Sequence, residues 1–398
     1  MDITIQPKKL SGSITAIPSK SQAHRLLICA AFADSQTTLL CPETNQDIEA
    51  TAGCLNALGA QILRTDSGYT VTPIRAIPSQ AVLDCCESGS TLRFMLPIAG
   101  ALGVDTTFRL AGRLPKRPLS PMWEEMERMG CSLSRPTENT IRCCGQLCAG
   151  DYSIDGSVSS QFITGLLYAM ALIPGSSRLT VTGKLESRPY IQMTQDALAA
   201  FGVKTDDFHV SGSRPFRSPG QVIVEGDWSN GAFFLAAKAL GSDVQVSGLE
   251  MDSPQGDRAV STLLPALCDH IQICAADIPD LVPILAVVAG ANQGATFTDV
   301  GRLRLKESDR VESVAAMLRN LGADVAITQD TLTVSPAVYH GCTIDAVGDH
   351  RIAMAAAVAA TVAQGPVTIL GAQCVAKSYP KFWEEYGRLG GIYEQHIR

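Results

Sequence analysis

Aromatic side chains make up only 6% of this chain, and basic residues are outnumbered, 32 lysines and arginines against 39 aspartates and glutamates. Proteins that hold single-stranded nucleic acid pair a basic groove with stacking aromatics, and a net charge of -7 with so few rings excludes that class. Long apolar runs are missing too. The longest, DLVPILAVVAGA and AMAAAVAATVA, fall far short of the roughly 20 residues that span a bilayer. The opening MDITIQPKKL has lysines but no apolar segment after them, so it lacks the pattern of a signal peptide. CxxC spacing is absent although there are 13 cysteines, and no histidine lies near Cys85, Cys86, Cys143, Cys144 or Cys148 to complete a zinc set. These absences predict a cytoplasmic protein with reduced, mostly buried thiols and no metal. At 398 residues and 46% hydrophobic, the chain has room for two or three domains that need no disulfides.

One phrase recurs: an amphipathic helix, a Leu-Gly-Ala or a variant of it, then a short strand. It occurs as CLNALGAQIL, EEMERMGCSL, ALAAFGVKT, LLPALCDHIQI, MLRNLGADVAI and EEYGRLGGIYE, at spacings of roughly 55 to 70 residues. Glycine suits the left-handed position that ends a helix, and the following segment alternates as a strand does. A second, more apolar helix accompanies the phrase, as in Ala23, Leu26, Leu27, Ala30 and Ala31, and in 91–102, 161–173, 280–289 and 351–363. Such helices belong in interiors. Six copies of one unit predict an α/β protein in two groups of three. The hinge candidates are Pro18-Ser19 and Glu225-Gly226-Asp227, giving a domain of 19–225 and a domain of 1–18 plus 226–398. Two crossings place the N-terminal strand with the C-terminal half.

The openings of the apolar helices share a chemistry. Ser21 stands where it can cap a helix carrying Arg25. Glu87-Ser88-Gly89-Ser90-Thr91-Leu92-Arg93, Ser159-Ser160-Gln161, Lys306-Glu307-Ser308-Asp309-Arg310 and Gly348-Asp349-His350-Arg351 open the others. Each offers a Ser or Asp cap, and four of the five place an arginine in the first turn or so. Cations are disfavoured at a helix N-terminus, whereas anions bind there, and arginine recognises carboxylate and phosphate bidentately. The pattern predicts several helix starts directed at one or two multiply anionic small molecules. Lys20, Lys116-Arg117-Pro118, Ser187-Arg188-Pro189-Tyr190 and Lys377 are further candidates for the same ligands. Glu307 and Asp280 are the carboxylates placed to move protons among these cations.

In order along the chain, the elements SKSQAHR, SGSTLR, RPL, GSVSSQFITGLL, SRPYIQMT, IPD, LKESDR, GDHRIAM and AKSYPKFW resemble 5-enolpyruvylshikimate-3-phosphate synthase, the 3-phosphoshikimate 1-carboxyvinyltransferase family, from about residue 5 to about residue 390. The resemblance implies two similar α/β domains of three βαβαββ units each, an inside-out barrel or prism, with the active site in the interdomain cleft. It implies transfer of the enolpyruvyl group of phosphoenolpyruvate to shikimate 3-phosphate by a monomer that needs no cofactor and no metal. Residue by residue, it assigns Ser159, Ser160, Gln161 and Ser187 to the phosphate of shikimate 3-phosphate, with Tyr190 beside them. Lys20, Ser21, Arg25, Asp280 and Lys306 go to the rest of that substrate. Lys20, Gly89, Arg117, Gln161, Arg310, Arg351 and Lys377 go to phosphoenolpyruvate. Lys20, Asp280 and Glu307 are the catalytic set, and Arg93, Arg302 and His350 lie at its margin. The chain departs from the family pattern in having Glu87-Ser88-Gly89-Ser90 in place of Asn-Ala-Gly-Thr and Arg302 in place of Asn.

Two other readings compete. UDP-N-acetylglucosamine enolpyruvyl transferases share the fold and carry a cysteine in the loop before the Arg-Pro pair. Here that position is Gly112, and no cysteine occurs from Ala101 to Gly130. A non-catalytic polyanion-binding relative would lose Lys20, Asp280 or Glu307, and all three are present.

Overall fold

The computed structural model describes residues 1–212 and 216–396. It contains two compact units, one of Lys20–Val224 and one of Met1–Ser19 with Glu225–Arg398. In the latter unit, the two segments at its boundary lie side by side. Pro18 bridges Gly226, the Ser19 amide donates to the Glu225 carbonyl at 2.7 Å, and the Asp227 amide donates to the Ile17 carbonyl at 2.7 Å.

The Lys20–Val224 unit has three four-stranded sheets of one design. In the clearest, Gln80–Asp84 runs parallel to Asp105–Arg109, and the apolar helix Gly89–Leu102 makes the crossover between them. Parallel neighbours need such a crossover. The outer helix Met122–Arg128 then leads into the hairpin Cys131–Thr137 and Thr140–Gly145, whose second strand pairs antiparallel with Asp105–Arg109. The sheet of Asp151–Asp155, Gly175–Thr182, His209–Gly212 and Thr205–Asp206 repeats the order around the helix Ser160–Leu172. In the third sheet the first strand comes last in sequence: Gln221–Ile223 pairs parallel with Thr37–Leu40.

The other unit repeats the design with Ile271–Cys274, Ala295–Thr298, Thr331–Val334 and Val325–Ile327 around the helix Val282–Ala291. Its next sheet is closed by the N-terminus, with Asp2–Gln6 between Gln364–Leu370 and Ile392–His396. The third sheet is shorter, with Ser11–Thr15 parallel to Asp243–Ser247 and no further strand among the described residues. The repeat LLPALCDHIQI belongs to this unit, and its strand Ile271–Cys274 opens the next sheet instead of a hairpin of its own. The other five repeats leave the outer helix through Gly59, Gly130, Gly202, Gly322 or Gly390, all at positive φ. Cys268 occupies the corresponding place in this one, and a side chain there disfavours the left-handed turn.

The apolar helices are the cores. Every residue of Val282–Ala291 except Ala291 is buried, as is every residue of His350–Ala360. No helix among the described residues is long and apolar enough to cross a membrane. All thirteen cysteines are free thiols. They are less buried than expected, since Cys86, Cys148, Cys268 and Cys274 are exposed and Cys144, Cys342 and Cys374 are half-buried. Cys144, Cys274 and Cys342 sit on short strands whose alternate residues face solvent, and Cys86, Cys148, Cys268 and Cys374 lie in the turns and loops between elements.

Candidate active site

In the Lys20–Val224 unit the predicted residues gather at the openings of the helices Lys20–Ala31, Gly89–Leu102, Ser160–Leu172 and Arg188–Ala200. Ser21 does not cap the first of these, because the helix already begins at Lys20. Its carbonyl instead accepts a hydrogen bond of 2.6 Å from Arg25. Arg25 is 2% exposed and also donates to Thr194 Oγ1 at 2.9 Å, the Tyr190 carbonyl at 2.9 Å and Thr164 Oγ1 at 3.4 Å. The face of Phe94 lies 5.2 Å away. Every one of these partners is uncharged. A buried guanidinium without a counter-charge is costly, and burial lowers its pKa. An anion placed here would be stabilised by a cation already held in position. Lys20 differs, because Asp47 at 2.9 Å answers its charge within the protein.

Gly89 is the first residue of its helix, and Ser88 caps it by accepting the Thr91 amide. A Cβ on Gly89 would lie 2.6 Å from Arg117 Nη1 and 2.7 Å from Arg93 Nη1, so glycine is what allows both guanidinium groups to approach the helix end. Arg93 donates to Gln161 Oε1 at 3.2 Å and the Pro118 carbonyl at 2.9 Å, and Gln161 donates to Ser90 Oγ at 2.9 Å. Gly89, Arg93, Arg117 and Gln161 thus form one group. Ser159 caps Ser160–Leu172 by accepting the Gln161 amide at 3.3 Å, and Ser160 is buried beside it. Ser187 precedes Arg188–Ala200 with φ 54° and ψ 40°, a left-handed conformation that is unusual without glycine. Strain of this kind concentrates at functional sites.

In the other unit a single arginine organises the cluster. Arg310 is 1% exposed and bonds three carboxylates: Asp349 Oδ2 at 2.8 Å, Asp280 Oδ1 at 2.5 Å and Glu307 Oε2 at 2.7 Å. Asp280 also receives Arg351 at 3.0 Å and lies 3.7 Å from Lys306. Burial works to raise the Asp280 pKa, but Arg351, Lys306 and Arg310 overcome it and hold the carboxyl well below the usual range. Burial pushes Lys306 down to about 8, with Arg310 and Arg302 assisting and Asp280 opposing. Asp309 and Asp349 cap the helices Arg310–Asn320 and His350–Ala360, which fixes the roots of Arg310 and Arg351. Asp280 sits two residues before Val282–Ala291. Lys377 ends the short 3-10 turn Ala372–Lys377 and is mostly buried, and His350 is buried beside Asp349. Arg302 lies in the turn Gly301–Leu305.

Sequence reasoning missed Asp47, Thr164, Thr194 and Asp257. Asp257 is 2% exposed and accepts the Ser229 hydroxyl. Burial and nearby Asp280 push its pKa up to about 7, with Arg351 opposing. Asp47 carried a faint signal, an acid in the first turn of the helix Gln46–Ala57; Thr164 and Thr194 lie inside the elements GSVSSQFITGLL and SRPYIQMT, but only folding brings them to Arg25, and Asp257 carried none.

The family model for EPSP synthase (3-phosphoshikimate 1-carboxyvinyltransferase) matches residues 5–272 and 265–386. The chain belongs to the EPSP synthase family. Among its relatives, the 3-phosphoshikimate 1-carboxyvinyltransferase of Clostridium kluyveri is 36% identical, covering 98% of this chain and 97% of the relative. That of Clostridium beijerinckii is 34% identical over 99% and 98%. Solved structures share the fold. The EPSP synthase of Acinetobacter baumannii has a TM-score of 0.81 at 24% identity, covering 99% of this chain and 100% of the other. The enolpyruvyl transferase NikO from Streptomyces tendae has a TM-score of 0.76 at 17% identity, covering 100% and 99%.

Proposed function

We propose that this member of the EPSP synthase family transfers the enolpyruvyl group of phosphoenolpyruvate to the 5-hydroxyl of shikimate 3-phosphate, releasing phosphate, in aromatic amino-acid biosynthesis. The observation that carries the reading is the cluster of Asp280, Lys306, Glu307, Arg310 and Arg351 in a chain that matches the family from residue 5 to residue 386. On this reading it works as a cytoplasmic monomer.

The reaction needs a proton delivered to the methylene carbon of phosphoenolpyruvate and a proton removed from the attacking hydroxyl. The tetrahedral intermediate then loses phosphate together with a proton from the newly formed methyl group, which restores the enolpyruvyl double bond. Each step is a proton transfer or a stabilisation of anionic oxygen. Glu307 is assigned as the donor to the methylene and Asp280 as the base for the hydroxyl. Lys20 assists proton transfer and steadies the departing phosphate. Shikimate 3-phosphate is assigned to Lys20, Ser21, Arg25, Ser159, Ser160, Gln161, Ser187, Asp280 and Lys306, with Tyr190 adjacent. Phosphoenolpyruvate is assigned to Lys20, Gly89, Arg117, Gln161, Arg310, Arg351 and Lys377.

Without substrate, Asp280 is a weak base, because Arg310, Arg351 and Lys306 hold its proton affinity low. Phosphoenolpyruvate brings its own carboxylate and phosphate for those cations. As Arg310 and Arg351 turn to the substrate, Asp280 loses part of its positive surroundings and its pKa rises. Binding thus prepares the base. The test is a phosphate-release assay with each substrate omitted in turn. Release is expected only with both, and release that depends on phosphoenolpyruvate alone would overturn the reading.

A further inference from the structure

His24 is fully buried and has no part in the scheme above. It lies one turn after Lys20 on the helix Lys20–Ala31. Burial drives its pKa down to about 3, with Asp47 opposing and Lys20 and Arg25 assisting, so the ring is neutral near neutral pH. Its Nδ1 is 2.7 Å from Thr51 Oγ1. Thr51 Oγ1 is 2.7 Å from Thr91 Oγ1, and Thr91 Oγ1 is 2.8 Å from Ser88 Oγ and 3.4 Å from the Asp47 carbonyl. Thr51, Thr91 and Ser88 are as fully buried as His24. The chain ends at the residue that caps Gly89–Leu102.

The protons on this chain have a direction. His24 Nε2 is buried without a hydrogen-bond partner among the described residues. A buried N–H without an acceptor is rarer and costlier than a buried lone pair without a donor. The ring proton therefore belongs on Nδ1, which donates to Thr51. A hydroxyl carries one proton, so Thr51 donates to Thr91 and Thr91 donates to Ser88.

The chain also forms the second of two rungs. Asp47 and Thr51 lie one turn apart on the helix Gln46–Ala57, as Lys20 and His24 do on theirs. The upper rung, Lys20 to Asp47, is an ion pair; the lower, His24 to Thr51, carries no charge. Thr91 ties the lower rung to the Ser88–Gly89 turn, accepting from the Thr51 hydroxyl and donating to Ser88.

We propose that His24, Thr51, Thr91 and Ser88 are positioning residues that keep the opening of the helix Gly89–Leu102 in register with Lys20 when Lys20 exchanges Asp47 for an anionic substrate. The proposal rests on the function given above. The upper rung opens whenever Lys20 takes up phosphoenolpyruvate. The lower rung, which no substrate competes for and no working pH ionises, preserves the spacing of Lys20 and Gly89.

The test compares Thr51→Val, His24→Leu and His24→Asn with the parent protein, reading KM for each substrate separately together with the melting temperature. Thr51→Val and His24→Leu should raise the KM of phosphoenolpyruvate about tenfold and that of shikimate 3-phosphate less than about twofold. His24→Asn, whose amide can donate from near the Nδ1 position, should recover most of the loss. Equal changes in both KM values, or no recovery with Asn, would overturn the proposal and leave a purely structural role. If the parent protein releases no phosphate, the functional reading fails instead. The chain itself is then read by nitrogen-15 NMR of the histidine ring. The expected signal is a neutral ring protonated at Nδ1 down to about pH 5 and changed in Thr51→Val. A ring protonated at Nε2, or one titrating near its ordinary pKa, would refute it.

Discussion

Replacing Asp280 by asparagine removes one negative charge and little else. The Asp280 carboxylate meets Arg310 at 2.5 Å, Arg351 at 3.0 Å and Lys306 at 3.7 Å. Breaking a buried ion pair from one side costs about 3–5 kcal/mol. Arg310 retains Asp349 and Glu307, so the loss falls on Arg351 and Lys306, and a urea melt near pH 7 should show a deficit of about 2–3 kcal/mol. That deficit has a pH signature. The Asp280 pKa is depressed by folding, so its contribution is complete above the unfolded value of about 3.9 and is lost as pH falls toward the folded value. The deficit of Asp280→Asn should therefore hold steady from about pH 7 to about pH 5 and shrink below about pH 4. For activity, losing a general base should lower kcat by about 10²- to 10⁴-fold. The variant carries an extra net positive charge beside Arg351 and Lys306, so KM for either anionic substrate should not rise. Steady-state phosphate release over both substrates reads the two quantities separately. A kcat within about tenfold of the parent with a raised KM would refute the assignment, since it would make Asp280 a binding residue only.

Further outcomes follow from the same geometry. Gly89→Ala places a methyl within 2.6 Å of Arg117 and 2.7 Å of Arg93, so it should raise KM for phosphoenolpyruvate while leaving kcat within about threefold; an unchanged KM would show that these arginines do not serve that substrate. Lys306 loses its charge as pH rises through about 8, so kcat/KM for shikimate 3-phosphate should fall on that limb, and Lys306→Arg should shift the limb upward by about two pH units or more. A limb that stays in place in the variant would assign it to another group. Glu307→Gln should cut turnover by about 10²-fold or more while calorimetric binding of shikimate 3-phosphate changes little; equal losses in both would count against Glu307 as the acid.

The repeats were legible in the sequence because each carries its own local signal, an amphipathic helix ending in glycine before an alternating strand. The exception is instructive. LLPALCDHIQI has the helix and the strand, but Cys268 replaces the glycine, and Ile271–Cys274 goes to the next sheet. The inner helix Trp228–Ala239 went unnoticed because Ser229, Asn230 and Lys238 interrupt its apolar run. Of the site, the cations were legible and their electrostatic balance was not. The arginines at helix openings read alike in sequence, yet Arg25 has only uncharged partners whereas Arg310 is bound to three carboxylates. Asp349 lies 39 residues after Arg310, and nothing local announces that pairing. Nothing local in the sequence marks His24, and only the fold brings Thr51 to it and Thr91 to Thr51.

The most direct test is phosphorus-31 and carbon-13 NMR of the protein mixed with phosphoenolpyruvate and shikimate 3-phosphate, with UDP-N-acetylglucosamine as the alternative acceptor in a second tube. The account predicts that phosphoenolpyruvate disappears in step with one equivalent of phosphate and one of the enolpyruvyl ether of shikimate 3-phosphate, with no pyruvate and no reaction in the second tube. Pyruvate and phosphate without the ether, or ether formation only on the nucleotide sugar, would contradict it.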